Sequence, residues 1–553
     1  MSRRSQTSPP DRRTPAPPTV ASEAELVALA RALGADTVPD LSADERRLEA
    51  APELDDDIVD YYRRHIHAGR DPLGDAFCRL RSPRARRARG AVYTPPALVQ
   101  AMLAWTGANT TPDRVVDPGA GSGRFIVAAG RRFPAARLVA VELDPLAALI
   151  ARAHLAACGF AERAQVVRDD YCTTRALPRI AGTSLFIGNP PYVRHHDIPS
   201  ASKQWFARAA AAHGIKASKL AGLHAYFFLA TAQHARPGDC GVFVTSSEWL
   251  DVNYGALIRE LFLRQLGGGS VHLLSPEARP FSDAMTTAVI ATFRVGAGAA
   301  AVRVRAVSAA AQLGALRAGR AVARDRLEAA RRWSPLIHGE RVAQAGMVPL
   351  GELCRVSRGQ VTGANKVWIA GPEHDELPTR VLFPAVTRAR EVFAAGATLD
   401  DTSALRRVID LPVELDDFSP AERRLIERFL ARARAQGVPA GYIARHRRAW
   451  WSVGLHPPAP ILATYMARRA PGFTRNLGRA RHINIAHGLY PRVELSEHAL
   501  GALVEHLNQS ASVRDGRTYA GGLAKFEPGE MARLPVPEPA LLERLGTARS
   551  ARE

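Results

Sequence analysis

The sequence predicts an α/β fold: a doubly wound, mostly parallel sheet followed by a C-terminal region of mixed α/β character. Three observations predict it. Short apolar runs alternate with helical stretches between residues 115 and 293, the pattern of strands joined by crossover helices. Each cluster of chemically distinctive residues in the first four of those runs falls at the carboxyl end of a run, where open α/β sheets bind ligands. From Val348 the texture changes to many short apolar runs separated by Gly, Pro and Asn, with a helical, Arg-rich stretch over 403–450.

Residues 1–22 are rich in Pro, Arg and Ser and are expected to form a disordered tail. Residues 23–88 read as a helical segment. Within it Ser22-Glu23-Ala24-Glu25-Leu26 has the form of a capped helix start, and Asp55-Asp56-Asp57 that of a charged one. The run Arg81-Ser82-Pro83-Arg84-Ala85-Arg86-Arg87-Ala88-Arg89 reads equally as a solvated linker or as a phosphate contact. Tyr93-Thr94-Pro95-Pro96 leads into a helix over 97–105, which the two prolines suit as a start.

The strands follow in order. Residues 115–116 end at Asp117-Pro118-Gly119-Ala120-Gly121-Ser122-Gly123, and 138–141 end at Glu142-Leu143-Asp144-Pro145. Residues 165–167 end at Asp169-Asp170-Tyr171, and 185–188 at Asn189-Pro190-Pro191-Tyr192. Residues 241–245 form a fifth strand and 287–293 are expected at the sheet edge. This first domain covers 89–295. Residues 296–345, rich in Ala, Gly and Arg, are expected to be a helical connection, 346–540 a second domain and 541–553 a tail. There are no internal repeats.

At 553 residues the chain has room for two or three domains with sizeable cores. Lys plus Arg number 74 against 54 Asp plus Glu, a net charge of +20, and only five of the 74 are Lys. A GC-rich genome contributes to such an Arg bias, but the balance still favours a polyanionic partner, nucleic acid before membrane. The five Cys (78, 158, 172, 240 and 354) form no C-x-x-C pair, which argues against a zinc site or a disulfide framework and for a reducing compartment. Ser2-Arg3-Arg4 is followed by no apolar stretch and no run reaches the length of a membrane span, so a cytoplasmic location is expected.

Asn189 presents a side-chain carbonyl, and Pro190 a backbone carbonyl with no N–H of its own. Two fixed acceptors can receive both hydrogens of an exocyclic amine, and Tyr192 offers a face for a planar ring. Gly119-x-Gly121-x-Gly123 lacks the last glycine of the dinucleotide fingerprint, because Arg124 stands there, and a tight turn alone would use such glycines. An acid at the next strand end, Glu142, turns it into a candidate nucleoside site, since a carboxylate there can accept from ribose hydroxyls. Glu142 could instead cap a helix, but Asp144 before Pro145 is better placed to do so. Asp170, with Asp169 as its rival, can accept from an adenine amino group while Tyr171 packs on the ring; alone, either could be a turn or packing residue.

In that order the glycine turn, the acid, Asp-Tyr and Asn-Pro-Pro-Tyr make the sequence resemble the class I S-adenosylmethionine-dependent methyltransferases. More narrowly it is similar to the adenine-N6 DNA methyltransferases of the gamma motif order found in type II restriction–modification systems. The resemblance spans roughly residues 88–540. It implies a class I methyltransferase fold at 89–295 and a DNA target-recognition domain at 346–540. It implies S-adenosylmethionine as cofactor, with Thr94 at its methionine carboxylate, Asp117, Gly119 and Gly121 along the methionine moiety, Glu142 on the ribose, and Asp170 and Tyr171 at the adenine. Residues 279–288 resemble the family's later motif, so Phe281 would be a second stacking aromatic opposite Tyr192; alone it reads as a core aromatic. The chain departs from the family pattern at Ser184, where an acid is common, and at Gly222-Leu223-His224, where Asp-Leu-Tyr is common.

In the second domain, Leu350-Gly351-Glu352-Leu353 with Arg358-Gly359-Gln360-Val361-Thr362-Gly363-Ala364-Asn365-Lys366 resembles the start of the family's recognition domain. Residues 516–528 with Leu534-Pro535-Val536-Pro537 resemble its end. Glycine turns bring backbone close to a phosphate and Arg or Lys supplies charge, so Arg358, Lys366, Arg517, Tyr519 and Lys525 are candidate DNA contacts. The expected reaction is methylation of a flipped-out adenine in duplex DNA, by Asn189, Pro190, Pro191, Tyr192 and Phe281, with no covalent enzyme intermediate and no metal. Alternatives are an RNA or a protein glutamine as substrate, or a non-catalytic DNA-binding specificity module. The segment before Thr94 reads as too short for a nuclease domain, so modification without cleavage is expected, by a monomer, with a separately encoded restriction endonuclease as a possible partner.

Overall fold

The computed structural model describes residues 19–52, 54–82, 94–175, 177, 180–275, 287–314, 316–339, 345–519 and 523–550. Two compact units make up the chain, Met1–Trp333 and Ser334–Glu553. The division therefore falls some residues before the expected start of a second domain at 346. Among the described residues no helix is long and apolar enough to cross a membrane.

The first unit begins with helices α1 (Glu23–Ala32), α2 (Ala43–Arg46), α3 (Asp56–His67) and α4 (Pro72–Leu80). Their starts are written in the sequence. Ser22 accepts from Glu25 N, Asp55 from Asp57 N and Asp71 from Gly74 N, each satisfying an amide that the first turn leaves without a partner. Within the expected tail 1–22, Val20 is buried in the core beneath α1 and Ser22 caps that helix. Residues 1–18 and the basic residues at 84–89 lie outside the described residues.

Next come α5 (Pro96–Gly107), β1 (Arg114–Pro118), α6 (Arg124–Arg132), β2 (Arg137–Glu142), α7 (Pro145–Ala157), β3 (Ala164–Arg168) and β4 (Ser184–Gly188). They are followed by α8 (Ser200–Ala212), α9 (Leu223–His234), β5 (Cys240–Ser246), β6 (Gly268–Leu274), β7 (Ala288–Arg294), β8 (Ala301–Val307) and β9 (Arg320–Ala323). One nine-stranded sheet results, in the order β3-β2-β1-β4-β5-β7-β6-β8-β9. β3, β2, β1, β4 and β5 run parallel, and β1 and β4 are buried along their whole length, which explains their continuous apolar runs.

Two expectations are corrected here. The strand expected at the edge is β7, and it lies inside the sheet, antiparallel to both β5 and β6. Its neighbour β6 escapes a pattern search because Gly268, Gly269, Ser270 and His272 interrupt its apolar run. The expected helical connection at 296–345 instead contributes β8 and β9, which extend the same sheet; an Ala- and Arg-rich composition hides the short alternation of Val302 and Val304. Two short helices, Arg324–Ala329 and Ser334–His338, follow.

Helix α7 is buried on both faces, between the sheet and α1–α4. Leu146, Leu149, Ile150 and Ala153 join Leu26, Tyr62, Leu73 and Phe77 in one core. Arg152 in its middle is fully buried; it pairs with Glu45 at 2.7 Å and donates to the carbonyls of Val38, Pro39, Asp40 and Val166. The N-terminal helices are thus built into the unit rather than appended to it.

Among the described residues the second unit carries four small sheets, the largest formed by Cys354–Arg358, Ala486–Pro491, Ile461–Thr464 and Phe473–Arg475. The expected helical stretch at 403–450 contains a strand, Arg407–Ile409, and one long helix, Pro420–Ala435. The expected tail at 541–553 is mostly the helix Pro539–Ser550, whose Leu542 is buried against helix Glu497–Ser510.

Candidate functional site

The winding of the sheet reverses between β1 and β4, which lie side by side, so the loops after them leave the sheet in opposite directions and open a crevice. The glycine turn follows β1 and Asn-Pro-Pro-Tyr follows β4. Gly119 and Gly121 have φ of +71° and +57°, a region that suits glycine, and a side chain on Gly119 would press on Pro191 and Phe227 at 3.4 Å. The two motifs are therefore in contact through a missing Cβ.

A cavity of about 500 Å³ occupies the crevice. Thr94, Gly119, Gly121, Glu142, Asp169, Asp170, Tyr171, Asn189 and Pro191 line it, so nine residues from five separate stretches of sequence meet at one place. Phe227, Leu223 and Ile198 form an apolar wall. Glu142 ends β2; its Oε2 accepts from Gly121 N at 2.8 Å and its Oε1 from Asp144 N at 2.9 Å. Asp144 caps α7 by accepting from Leu146 N and Ala147 N, as its place before Pro145 predicts. Asp169 and Asp170 both reach the cavity, with Asp170 Oδ1 accepting from Cys172 N at 2.9 Å. The Tyr171 ring lies 5.3 Å from Phe227, and its hydroxyl is bonded to Thr231 at 2.9 Å.

Asn189 is oriented by a bond that no motif reports. Its Nδ2 donates to Thr94 Oγ1 at 3.0 Å, and Thr94 is itself buried. Pro190 is buried in the turn. Tyr192 is half-buried, and its hydroxyl has no partner among the described residues; burial raises its pKa. It does not line the cavity. Phe281 and Tyr93 lie outside the described residues.

Asp117 sits beneath the cavity rather than on its wall. One carboxyl oxygen accepts from Ile126 N at 3.2 Å, anchoring the start of α6, and the other lies where only a glycine, Gly188, leaves room. Burial pushes its pKa well above the ordinary carboxylate range.

Sequence reasoning missed three contributors from the N-terminal helices. Phe77 and Arg81 line the cavity. Asp71 accepts from Ser122 Oγ and Arg124 Nε, both at 2.5 Å, and lies 3.2 Å from His154. Arg124, the residue that breaks the glycine fingerprint, also donates to Asp75 and to the Thr94 carbonyl. A helical pattern was visible in this segment, but nothing local tells which loop it clamps.

In the second unit, Arg358 and Lys525 meet although 166 residues separate them. Both pair with Glu527, Lys525 at 2.5 Å, and both lie over the Tyr465 ring at 5.4 and 5.1 Å. Burial tends to raise the Glu527 pKa, but these two cations hold it below its ordinary value. Arg517 instead faces the buried Glu530 at 3.0 Å. Lys366 is exposed in the short helix Asn365–Trp368. Tyr519 lies in strand Arg517–Tyr519, but its side chain is outside the described residues.

Comparison with known proteins adds the family. A family model described as Eco57I restriction-modification methylase matches residues 181–267, and one described as the C-terminal domain of the type II methyltransferase M.Eco57I matches 339–551. The type II methyltransferase M.XamI of Xanthomonas campestris pv. amaranthicola is 52% identical over 527 residues, covering 93% of this chain and 98% of that protein. The type II methyltransferase M.AccI of Acinetobacter calcoaceticus is 21% identical over 473 residues, 82% of this chain and 86% of that one. Among solved structures, the type IIL restriction-modification enzyme MmeI in complex with DNA superposes with a TM-score of 0.57 at 12% identity, over 95% of this chain and 82% of that one.

Proposed function

The chain belongs to the type II methyltransferases of restriction–modification systems and has the class I methyltransferase fold; on that premise we propose that it methylates the N6 amine of adenine at a specific sequence in duplex DNA, with S-adenosylmethionine as donor. The observation that carries this reading is Asn189, held by Thr94 at the lip of the β1/β4 crevice, beside the glycine turn.

The cavity suits the cofactor. Its volume is that of a nucleoside-sized ligand site, and Glu142, Asp169 and Asp170 place carboxylates along it, which favour a ligand carrying a cationic sulfonium and an ammonium. Glu142 would hold the ribose, Asp170 or Asp169 the adenine amine, and Thr94 with Gly119 and Gly121 the methionine end. When bound, S-adenosylmethionine supplies an electrophilic methyl group.

The chain's own residues supply position. The target amine is buried in stacked DNA, so the base leaves the helix at a cost of roughly a few kcal/mol, part of which stacking on Tyr192 recovers. The amine is a poor nucleophile because its lone pair is delocalised into the ring. Asn189 Oδ1 and the Pro190 carbonyl accept its two N–H groups and favour a pyramidal nitrogen, turning the lone pair toward the methyl group. Fixed carbonyl dipoles in a partly dry site carry the rate. Arg358, Lys366 and Lys525 contact phosphates, in the cytoplasm where the DNA is, and a separately encoded endonuclease is a candidate partner.

The test is to incubate the purified protein with tritiated S-adenosylmethionine and unmethylated bacterial genomic DNA, then separate nucleosides. Label in N6-methyl-2′-deoxyadenosine supports the reading. Label in a methylated deoxycytidine keeps the site and changes the base. No label in DNA, with label appearing when RNA or a protein is supplied instead, overturns the substrate.

A further inference from the structure

The N-terminal helices reach the cavity through two side chains of α4 and its C-terminal end. Phe77 and Arg81 both line it. The guanidinium carbon of Arg81 stands 4.7 Å over the Phe77 ring, and its Nη1 pairs with Asp144 while Nε donates to Glu23 at 2.8 Å. Asp144 lies two residues past Glu142, and Glu142 Oε1 binds its amide. Arg81 therefore sits beside Glu142, the residue read as the ribose partner. A guanidinium held by two carboxylates and backed by an aromatic ring is a pre-organised flat surface. Its planar face suits a purine, and little side-chain freedom remains to be lost on binding.

We propose that Phe77 and Arg81 bind the adenosyl part of the cofactor, so that the C-terminal end of α4 forms one wall of the cofactor site. The proposal rests on the reading of the cavity as an S-adenosylmethionine site. It assigns a ligand contact to a segment that lies ahead of every motif the family resemblance supplies.

Calorimetric titration of the full chain tests it, with S-adenosylmethionine and with methylthioadenosine, which keeps the adenosyl group and lacks the amino-acid tail. Arg81→Ala is expected to weaken both ligands by about tenfold, the size of one partly desolvated cation–π stacking contact, and by the same factor. Arg81→Lys should recover part of the loss. Phe77→Leu, which keeps apolar volume in the core, should weaken both ligands several-fold and serves if Arg81→Ala does not fold. Loss of S-adenosylmethionine binding with methylthioadenosine unchanged overturns the proposal, because the contact would then be at the amino-acid end. So does a lower melting temperature of the ligand-free variant with an unchanged ligand-induced rise, which is the mark of a purely structural role. Failure of the wild-type chain to bind either ligand overturns the cofactor reading itself, and is distinct from variants that bind as tightly as a binding-competent wild type.

Discussion

Asn189 and Thr94 are 95 residues apart in sequence and 3.0 Å apart in space. The bond turns the amide nitrogen toward Thr94. Asn189→Ala is expected to abolish methyl transfer while the cofactor dissociation constant changes by less than about threefold; near-normal turnover would remove the proposed acceptor. Thr94→Val removes the hydroxyl but keeps the shape. It should lower kcat by roughly ten- to a hundredfold through misplacement of Asn189, and Thr94→Ser should restore most of it. Single-turnover rates at saturating cofactor separate this from weaker binding. The departure at Ser184 also resolves at this scale. Ser184 Oγ accepts from Arg114 at 2.9 and 3.1 Å and its amide donates to Asp239 at 2.6 Å, so an acid from a distant segment stands beside the position where the family often has its own. Burial lowers the Arg114 pKa, and Asp239 opposes that shift. His224, at the second departure, is buried with Nε2 unpartnered among the described residues.

At the scale of elements, α7 and the N-terminal helices stabilise each other. Glu45 and Arg152 are both fully buried. Replacing Glu45 with Ala leaves a buried guanidinium whose remaining partners are carbonyl groups, and should destabilise the first unit by about 3 kcal/mol. Urea unfolding followed by circular dichroism measures this, and a change under 1 kcal/mol would mean that the carbonyls suffice. Helix starts were legible because capping is local: Ser22, Asp55 and Asp144 each cap the helix they precede. β6 was not, because a strand paired on both sides tolerates Gly268, Gly269 and His272, its partners supplying what its own residues lack. For the same reason β7 could not be placed inside the sheet from its own sequence.

At the scale of the whole molecule, two predictions concern charge. In the free chain Arg358 and Lys525 share one carboxylate, Glu527, which offsets one of their two charges and competes with a phosphate. Arg358→Ala and Lys525→Ala should each reduce the salt slope of DNA binding by about one, and Glu527→Gln should tighten non-specific binding. Arg517→Ala should leave the slope unchanged and lower stability, because its partner is the buried Glu530. Filter binding across salt concentrations distinguishes the three. The second prediction concerns pH. Burial lowers His224, His272, His482 and His487 to about 4 each. Below the ordinary value of 6.5 the unfolded chain takes up protons that these folded histidines refuse. Stability is therefore full above 6.5 and is lost as pH falls toward 4, by up to about 1.4 kcal/mol per pH unit for each histidine. Asp117 and Asp75, raised by burial, have the opposite sign, but burial lowers His65, His154 and His234 as well. The melting temperature should fall steadily between pH 6.5 and 4.5; a flat profile would mean that the histidines open to solvent.

The sequence by itself determined the parallel core, the four motifs and their order. Each depends on a few adjacent residues: an apolar run to make a buried strand, glycines to make a turn, prolines to stiffen one, a carboxylate at a strand end. Only the tertiary structure decided what those motifs face. The reversal of winding between β1 and β4 brings Gly119 against Pro191, and Thr94 to Asn189. Packing of α1–α4 on α7 carries Phe77 and Arg81 to a cavity whose other walls lie up to 150 residues away, and Asp71 to Ser122 and Arg124 of the glycine turn. Local residue chemistry sets conformation over a turn or a strand, whereas contacts between distant segments are chosen by burial of their shared apolar faces, and no short window of sequence contains both sides of such a contact.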